Sequence, residues 1–460
     1  MPGQRAKKAS ATGWSGVGPH HPGAERGHRG KNAAEAKQYV MTSSRVLTRA
    51  LFSLVLVAIS IAATLPAAAG APRAAAGGTS AKCVNGKAGG FPCKNIDLLA
   101  HVPLTRTEGG GVSDVWGWVD PETKKEYAVL GTSGGVSFFD ISEPTKPVYL
   151  GRMVGKLDSA LPWIELEILN DHVYVVCDLS PCGLQIFDLN RLRGVEAAVP
   201  VWRPDVVLPI GTAHSIASNP ETNHIFINGT ALLVGPTLIF DVSVPLAPVP
   251  VGGMTDDGYT HDSLCTKYKG PDKPRKGNEI CFNFNEDTVT IYDVTANPMV
   301  PEQLARETYK TASYVHSGAL TKDHSYLVST DEGDETGNGT PSTLYIWDIR
   351  KLSAPKMIGT FVAPSATIDH NIYSEQDALY HANYVNGFRI LDMKDAAKAK
   401  LKEVAWFDTV PTSDAAEFNG AWAAYPYLPS GNVIIGDMDG AMFIVRPEDS
   451  VYRSLGVKRK

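Results

Sequence analysis

The stretch "VSFFDISEPTKPVYLG", Val136 to Gly151, is a short apolar run that stops at Asp140, then a turn holding two prolines, then a second apolar run. Apolar runs of this length, bounded by turn residues, read as β-strands. An aspartate at such a strand end accepts a hydrogen bond from its own backbone two residues on, and proline fits the same turn. The pattern recurs in "LQIFDLNRL" at Asp188, "TLIFDVSVPLAPVPVG" at Asp241, "VTIYDVTANPMVP" at Asp293, "LYIWDIRKLSAPKMIG" at Asp348 and "FRILDMKDA" at Asp392. A degenerate copy, "AMFIVRPED", carries Arg446 in the aspartate slot. Successive slots lie 48, 53, 52, 55, 44 and 54 residues apart, which makes seven copies.

Within each copy the aspartate-ended strand follows another alternating run, as in "HIFINGTA" and "SYLVSTDEG", and a third run precedes that. Four short strands per unit at a period of about 50 residues is the signature of a propeller blade. The chain is therefore expected to be all-β, a seven-bladed β-propeller over residues 95–447. The last copy stops after its third strand, while "NIDLLAHVPL", Asn95 to Leu104, stands before the first copy as an orphan strand. That strand is expected to complete the seventh blade and close the ring. The repeated aspartates are read as structural. Trp347-Asp348 spells the WD dipeptide, but the long period and the missing Gly-His partner argue against WD40 repeats.

Length and composition agree: 460 residues, 43% apolar and 20% charged, with 43 Gly and 31 Pro, describe a globular, turn-dense chain. Residues 1–40 have no apolar periodicity and are read as disordered, upstream of a true start at Met41. Residues 41–69 carry Arg45 and Arg49 ahead of an apolar run that ends in small residues, the pattern of a Sec-type signal peptide. Nine Lys/Arg against Glu25 and Glu35 give residues 1–69 a net charge of +7, so the overall −6 leaves −13 for the remainder. An acidic exported domain has no basic footprint for nucleic acid, and no membrane span is expected in the mature protein. Six cysteines in such a chain argue for disulfides. Spacing alone leaves the connectivity open, and nearest-neighbour pairing is the simplest: Cys83 with Cys93 in the N-terminal segment 70–94, Cys265 with Cys281, and Cys177 with Cys182.

Several stretches resemble the LVIVD-repeat propellers of the choice-of-anchor B family of secreted bacterial proteins. They are "CVNGKAGGFPCKNIDLLAHVPL", "SDVWGWVDPETKKEYAVLGTSGGVSFFDISEPTKPVYLG", "DGYTHDSLCTKY", "EICFNFNEDTVTIYDVT", "DHNIYSEQDALYHANYVNGFRILD" and "FNGAWAAYPYLPSGNVI". The resemblance covers nearly all of Cys83 to Pro447. It implies an exported repeat propeller, and it implies no particular activity. The tail, residues 448–460, has no apolar sorting anchor, so the expectation is a secreted, extracellular monomer without covalent attachment.

Aligned on the repeat, the innermost strands read "VSDVWGW", "LPWIELEI", "GTAHSIAS", "GYTHDSLC", "SYVHSGAL", "TIDHNIYS" and "NGAWAAYP". Four consecutive blades place His214, His261, His316 and His370 in one slot, with Trp116, Glu165 and Trp422 in or beside it elsewhere. Inner strands line the central channel, so these imidazoles converge on the axis. Neutral imidazole is a ligand for Zn, Cu or Fe, which makes the four histidines a candidate site for one transition metal ion. Glu165, Asp262 and Asp369 are candidates to orient the rings. The competing reading has each histidine bonded to a backbone group of the next blade.

The acidic run "TDEGDETGNG", with Asp331, Glu332, Asp334 and Glu335, offers oxygen ligands for Ca²⁺ but lacks EF-hand spacing and reads more simply as a solvated loop. No nucleophile elbow, Walker loop, HExxH or dinucleotide fingerprint occurs in a credible context. Two functions fit: an extracellular binding module that presents its loops to a protein, glycan or small molecule, or a metal-dependent enzyme using the four axial histidines.

Overall fold

The computed structural model describes residues 80–105, 108–154, 163–196, 199–232 and 234–459. The segments read above as disordered and as a signal peptide lie outside the described residues.

Seven sheets form, one per repeat. Blade 1 is Val112–Val119, Glu126–Thr132, Gly135–Asp140 and Val148–Met153, and blade 2 is Ile164–Leu169, His172–Cys177, Leu184–Asp188 and Val206–Leu208. Blades 3, 4 and 5 begin at Ser215–Asn219, Asp262–Lys267 and Val315–Leu320, and blades 6 and 7 at Ile372–Glu375 and Ala421–Tyr425. The first strand of each blade touches its counterpart in the next, except that blade 6 reaches blade 7 mainly through its second strand, Ala378–Ala382; the circle closes from blade 7 onto blade 1. The seven-bladed propeller expected from the repeat is the fold. Apolar clusters fill the spaces between neighbouring blades, as where Phe138 of blade 1 stacks on Phe187 of blade 2 with centroids 4.9 Å apart.

Ring closure uses the orphan strand. Ile96–Pro103 pairs antiparallel with Ala441–Pro447 as the outer strand of blade 7. Immediately upstream, Phe91–Lys94 adds to the outer strand of blade 6, Lys402–Phe407, and Lys87–Ala88 pairs on it in turn. The N-terminal segment therefore straddles blades 6 and 7, tied by the Cys83–Cys93 disulfide. The outer edge of blade 1 is also covered, by Val199–Trp202 running parallel to Val148–Met153. Covered edges suppress strand addition by other chains. The C-terminal tail holds a helix, Asp449–Leu455, whose Val451, Tyr452 and Leu455 are buried against blades 6 and 7.

The repeated aspartates perform the role their position dictates. Asp140, Asp188, Asp241, Asp293, Asp348 and Asp392 each accept the backbone N–H two residues on, at 2.7–3.1 Å. At Asp241 the Ser243 side chain first, and this backbone bond second, hold the carboxyl below its ordinary range. Asp241→Ala is expected to lower stability by about 1 kcal/mol, as loss of a comparable backbone cap does. Equilibrium denaturation reads this directly, and an unchanged midpoint would mean that the turn holds without the bond.

All three disulfides join nearest neighbours. Besides Cys83–Cys93, Cys265 and Cys281 face each other across the first two strands of blade 4, and Cys177–Cys182 closes the loop between the second and third strands of blade 2.

Candidate functional site

The axial histidines sit at or just before the start of the inner strands of blades 3 to 6, where the chain enters the channel. Serines that follow two of them fix this geometry: Ser215 donates to the His261 carbonyl at 2.7 Å and Ser317 to the His370 carbonyl at 3.2 Å. Blades 3 and 5 thereby staple the backbone of the next blade's histidine. The rings form an arc, with centroid separations of 4.0 Å from His214 to His261, 4.1 Å from His261 to His316 and 4.4 Å from His316 to His370.

Their polar partners differ. His370 Nδ1 lies 2.6 Å from the Trp422 carbonyl, which can only accept, so this nitrogen carries the proton. His214 Nδ1 lies 3.0 Å from Asp178 Oδ2 and donates to it. In His370 Nε2 is left with a free lone pair, the arrangement that metal-ligating histidines adopt. His261 and His316 are about 3% exposed, and their Nδ1 atoms have no hydrogen-bond partner. A next-blade backbone partner, the packing explanation of the repeat, thus holds for two of the four: His370 bonds the Trp422 carbonyl and the His261 ring bonds the His316 backbone. Burial pushes His261 and His316 well below the ordinary histidine value, with neighbouring imidazoles adding to the effect, and pushes His370 down to about 3. At neutral pH these three rings are uncharged and able to donate lone pairs.

The acidic run contributes what the histidines lack. Glu332 Oε2 lies 3.5 Å from His316 Nε2, and Oε1 lies 3.6 Å from His370 Nε2. His261, His316 and Glu332 each bring one ligand atom, all within 4.8 Å of one another, the one such group among the described residues. Two ligands at about 2.1 Å from a tetrahedral ion are separated by about 3.4 Å, so the His316–Glu332 pair is already at coordinating distance. The four histidines therefore do not close on one point by themselves. Two of them close with a carboxylate, and His214 and His370 flank it.

The remaining acidic residues do not form a solvated loop: Asp331, Asp334 and Glu335 are buried. A helix of five residues, Asp334–Asn338, turns the run inward. Asp331 accepts from the Tyr309 hydroxyl and from the Ser313 and Tyr314 amides, Asp334 accepts from the Tyr345 hydroxyl, and Glu335 approaches the Asp369 amide. Asp331 ends the strand Tyr326–Asp331, and Asp334 and Glu335 face different partners because the helix rotates one through about 100° from the other. Nor do the expected ring-orienting acids reach the histidines' nitrogens through any hydrogen bond. Glu165 accepts from Trp422 Nε1 at 3.0 Å, Asp262 from the Ser263 amide at 2.7 Å, and Asp369 from Ser342 and Thr343 at 2.6 Å each. Residues next to a histidine in sequence leave an extended strand on its opposite face, so Asp262 and Asp369 point away from the ring they adjoin. The true orienting acid of His214 is Asp178, held in the loop that Cys177–Cys182 closes. Trp116 packs on Tyr425 instead of joining the arc.

Across the channel the chemistry changes. Asp114 of blade 1 and Glu165 of blade 2 are both raised, by burial first, Asp114 to about 7. Asp369 is likewise raised to about 7 by burial, and its neighbour His381 is pushed down to about 3 by the same cause. A carboxyl raised in the folded state favours folding while protonated, and that contribution disappears as pH rises through the folded value. Buried neutral histidines oppose this trend as the unfolded chain's imidazoles lose their protons around pH 6.5, so the contribution of Asp114 is read against Asp114→Asn, which carries the same histidines. Between pH 6.5 and 8, chelator-treated wild-type protein is expected to lose about 1 kcal/mol more stability than Asp114→Asn. Thermal melts of both proteins across that window test the assignment; parallel profiles contradict it.

No known protein-family model matches the chain, and no curated protein matches it.

Proposed function

We propose that the protein is an exported propeller of the LVIVD type, a member of the choice-of-anchor B group, that binds one divalent transition metal ion on its axis. His261, His316 and Glu332 are the ligands, with His214 and His370 within reach as further donors. The observation that carries this reading is the convergence of His261, His316 and Glu332, whose ligand atoms lie within 4.8 Å of one another, on two buried imidazoles that burial keeps uncharged. Two histidines and a carboxylate are the donor set of hydrolytic zinc sites and of non-haem iron. Export is supported by three disulfides with no free cysteine among the described residues, and no described helix is long and apolar enough to cross a membrane. Loops on a rigid scaffold around such a site suit an extracellular module that binds a protein, glycan or small molecule.

Metal analysis of the purified full chain, followed by chelation and reloading with Zn²⁺, Cu²⁺ and Fe²⁺, tests the reading. One equivalent of tightly held metal is the expected result; protein that neither carries nor takes up any of the three ions refutes it. An enzymatic reading has a specific observation in its favour: three protein ligands leave coordination positions for water or substrate. Azide added to the Cu²⁺-loaded protein separates the two, since a spectral shift marks an open position and its absence marks a closed, structural one.

A further inference from the structure

Tyr384 sits in the loop Asn383–Gly387 between the second and third strands of blade 6, with a backbone φ of +39°. For a bulky residue this is an outlier of a kind that costs about 1–3 kcal/mol and persists only where the surroundings impose it. They do so here. Tyr384 and Ala421 of blade 7 exchange two backbone hydrogen bonds, at 3.0 and 2.9 Å. The approach demands a glycine at position 420, whose missing Cβ would lie 2.5 Å from the Tyr384 carbonyl oxygen. The phenol ring is 1% exposed, lies 4.3 Å from the His370 ring, and meets Trp422 and Phe418 edge-on. Its hydroxyl donates to Glu332 Oε1.

The consequence is a division of labour on one carboxylate. Oε1 is occupied by the phenol and faces His370, while Oε2 is left toward His316. We infer that Tyr384 is a positioning residue of the axial metal site, locked in a strained turn so that its hydroxyl holds Glu332 with one oxygen aimed at the ion. The inference rests on the metal reading proposed above. A hydrogen-bonded partner of this kind changes metal affinity by about 10–100-fold when removed.

The test compares the full-length wild-type protein with Tyr384→Phe and Glu332→Gln. Each is stripped of metal, then titrated with Zn²⁺ against a chromophoric chelator, and its Cu²⁺ form is examined by electron paramagnetic resonance. Tyr384→Phe keeps the ring packing and is expected to leave the melting temperature of the apoprotein within a few degrees of wild type. Its Zn²⁺ affinity is expected to fall 10–100-fold, with an altered Cu²⁺ spectrum. Glu332→Gln marks the scale of losing the ligand itself. Wild-type affinity and an unchanged spectrum in Tyr384→Phe overturn the inference and leave the metal reading intact. A variant that loses apoprotein stability but not affinity also overturns it, by assigning Tyr384 a role in folding alone. Wild-type protein that binds no Zn²⁺ overturns the metal reading instead.

Discussion

Removal of residues 80–104 is expected to abolish the cooperative unfolding transition and to leave a chain that aggregates. Ile96 and Leu98 in the seam between blades 6 and 7, and Ala100 and Val102 in the seam between blades 7 and 1, are each no more than 2% exposed, and the strand pairs with Ala441–Pro447 along its length. Three aliphatic side chains at about 2 kcal/mol each, together with a ladder of backbone bonds, approach the 5–15 kcal/mol that separates most folded domains from their unfolded state. The loss is also topological. Without this strand blade 7 presents an unpaired edge beside a buried seam, the template on which chains associate. Calorimetry and size-exclusion chromatography read the outcome, and a synthetic peptide of residues 95–104 supplied in trans should restore part of the transition. A truncated chain that melts like the intact one would mean that three strands suffice to close blade 7.

The second large effect concerns the axis. His261→Ala with His316→Ala is expected to lower metal affinity by more than the roughly hundredfold that loss of an outer partner produces, because two direct ligands go at once. Apoprotein stability is expected to move much less. Each wild-type imidazole carries a buried nitrogen without a partner, so its removal deletes an unsatisfied group along with some packing. On the metal reading an ion would bind the folded chain and not the unfolded one, so metal at a hundred times its dissociation constant should raise wild-type stability by about 2.7 kcal/mol and the double variant's scarcely at all. Calorimetry with and without Zn²⁺ measures both quantities. Equal stabilisation of the two proteins would place the ion elsewhere.

Much of this was legible before any coordinates. The aspartate-ended strand counts the blades, because each copy is a local unit whose turn chemistry is written within a few residues of Asp140, Asp241 or Asp348. The position of "NIDLLAHVPL" ahead of the first copy shows how the ring closes. The shared slot of His214, His261, His316 and His370 places four imidazoles on one axis, because equivalent positions of a radial repeat must converge.

What the repeat could not specify is which groups meet those rings. Glu332 follows a strand by one residue, in a run whose composition suggests a loop facing water, and only the inward turn of Asp334–Asn338 and the packing of blade 5 against blade 6 send it to the axis. Asp178 and Tyr384 belong to loops that differ from blade to blade, so no periodicity marks them. Asp262 and Asp369 mislead for the opposite reason: adjacency in sequence means opposite faces on a strand. The amino-acid sequence by itself determined the number of blades, their closure and the histidine arc, all of which follow from local strand and turn preferences copied seven times. Only the tertiary structure decided the carboxylate, the phenol behind it and the acid beside His214, because Glu332 meets His370 and Tyr384, and Asp178 meets His214, across blade boundaries that exist only once neighbouring blades pack.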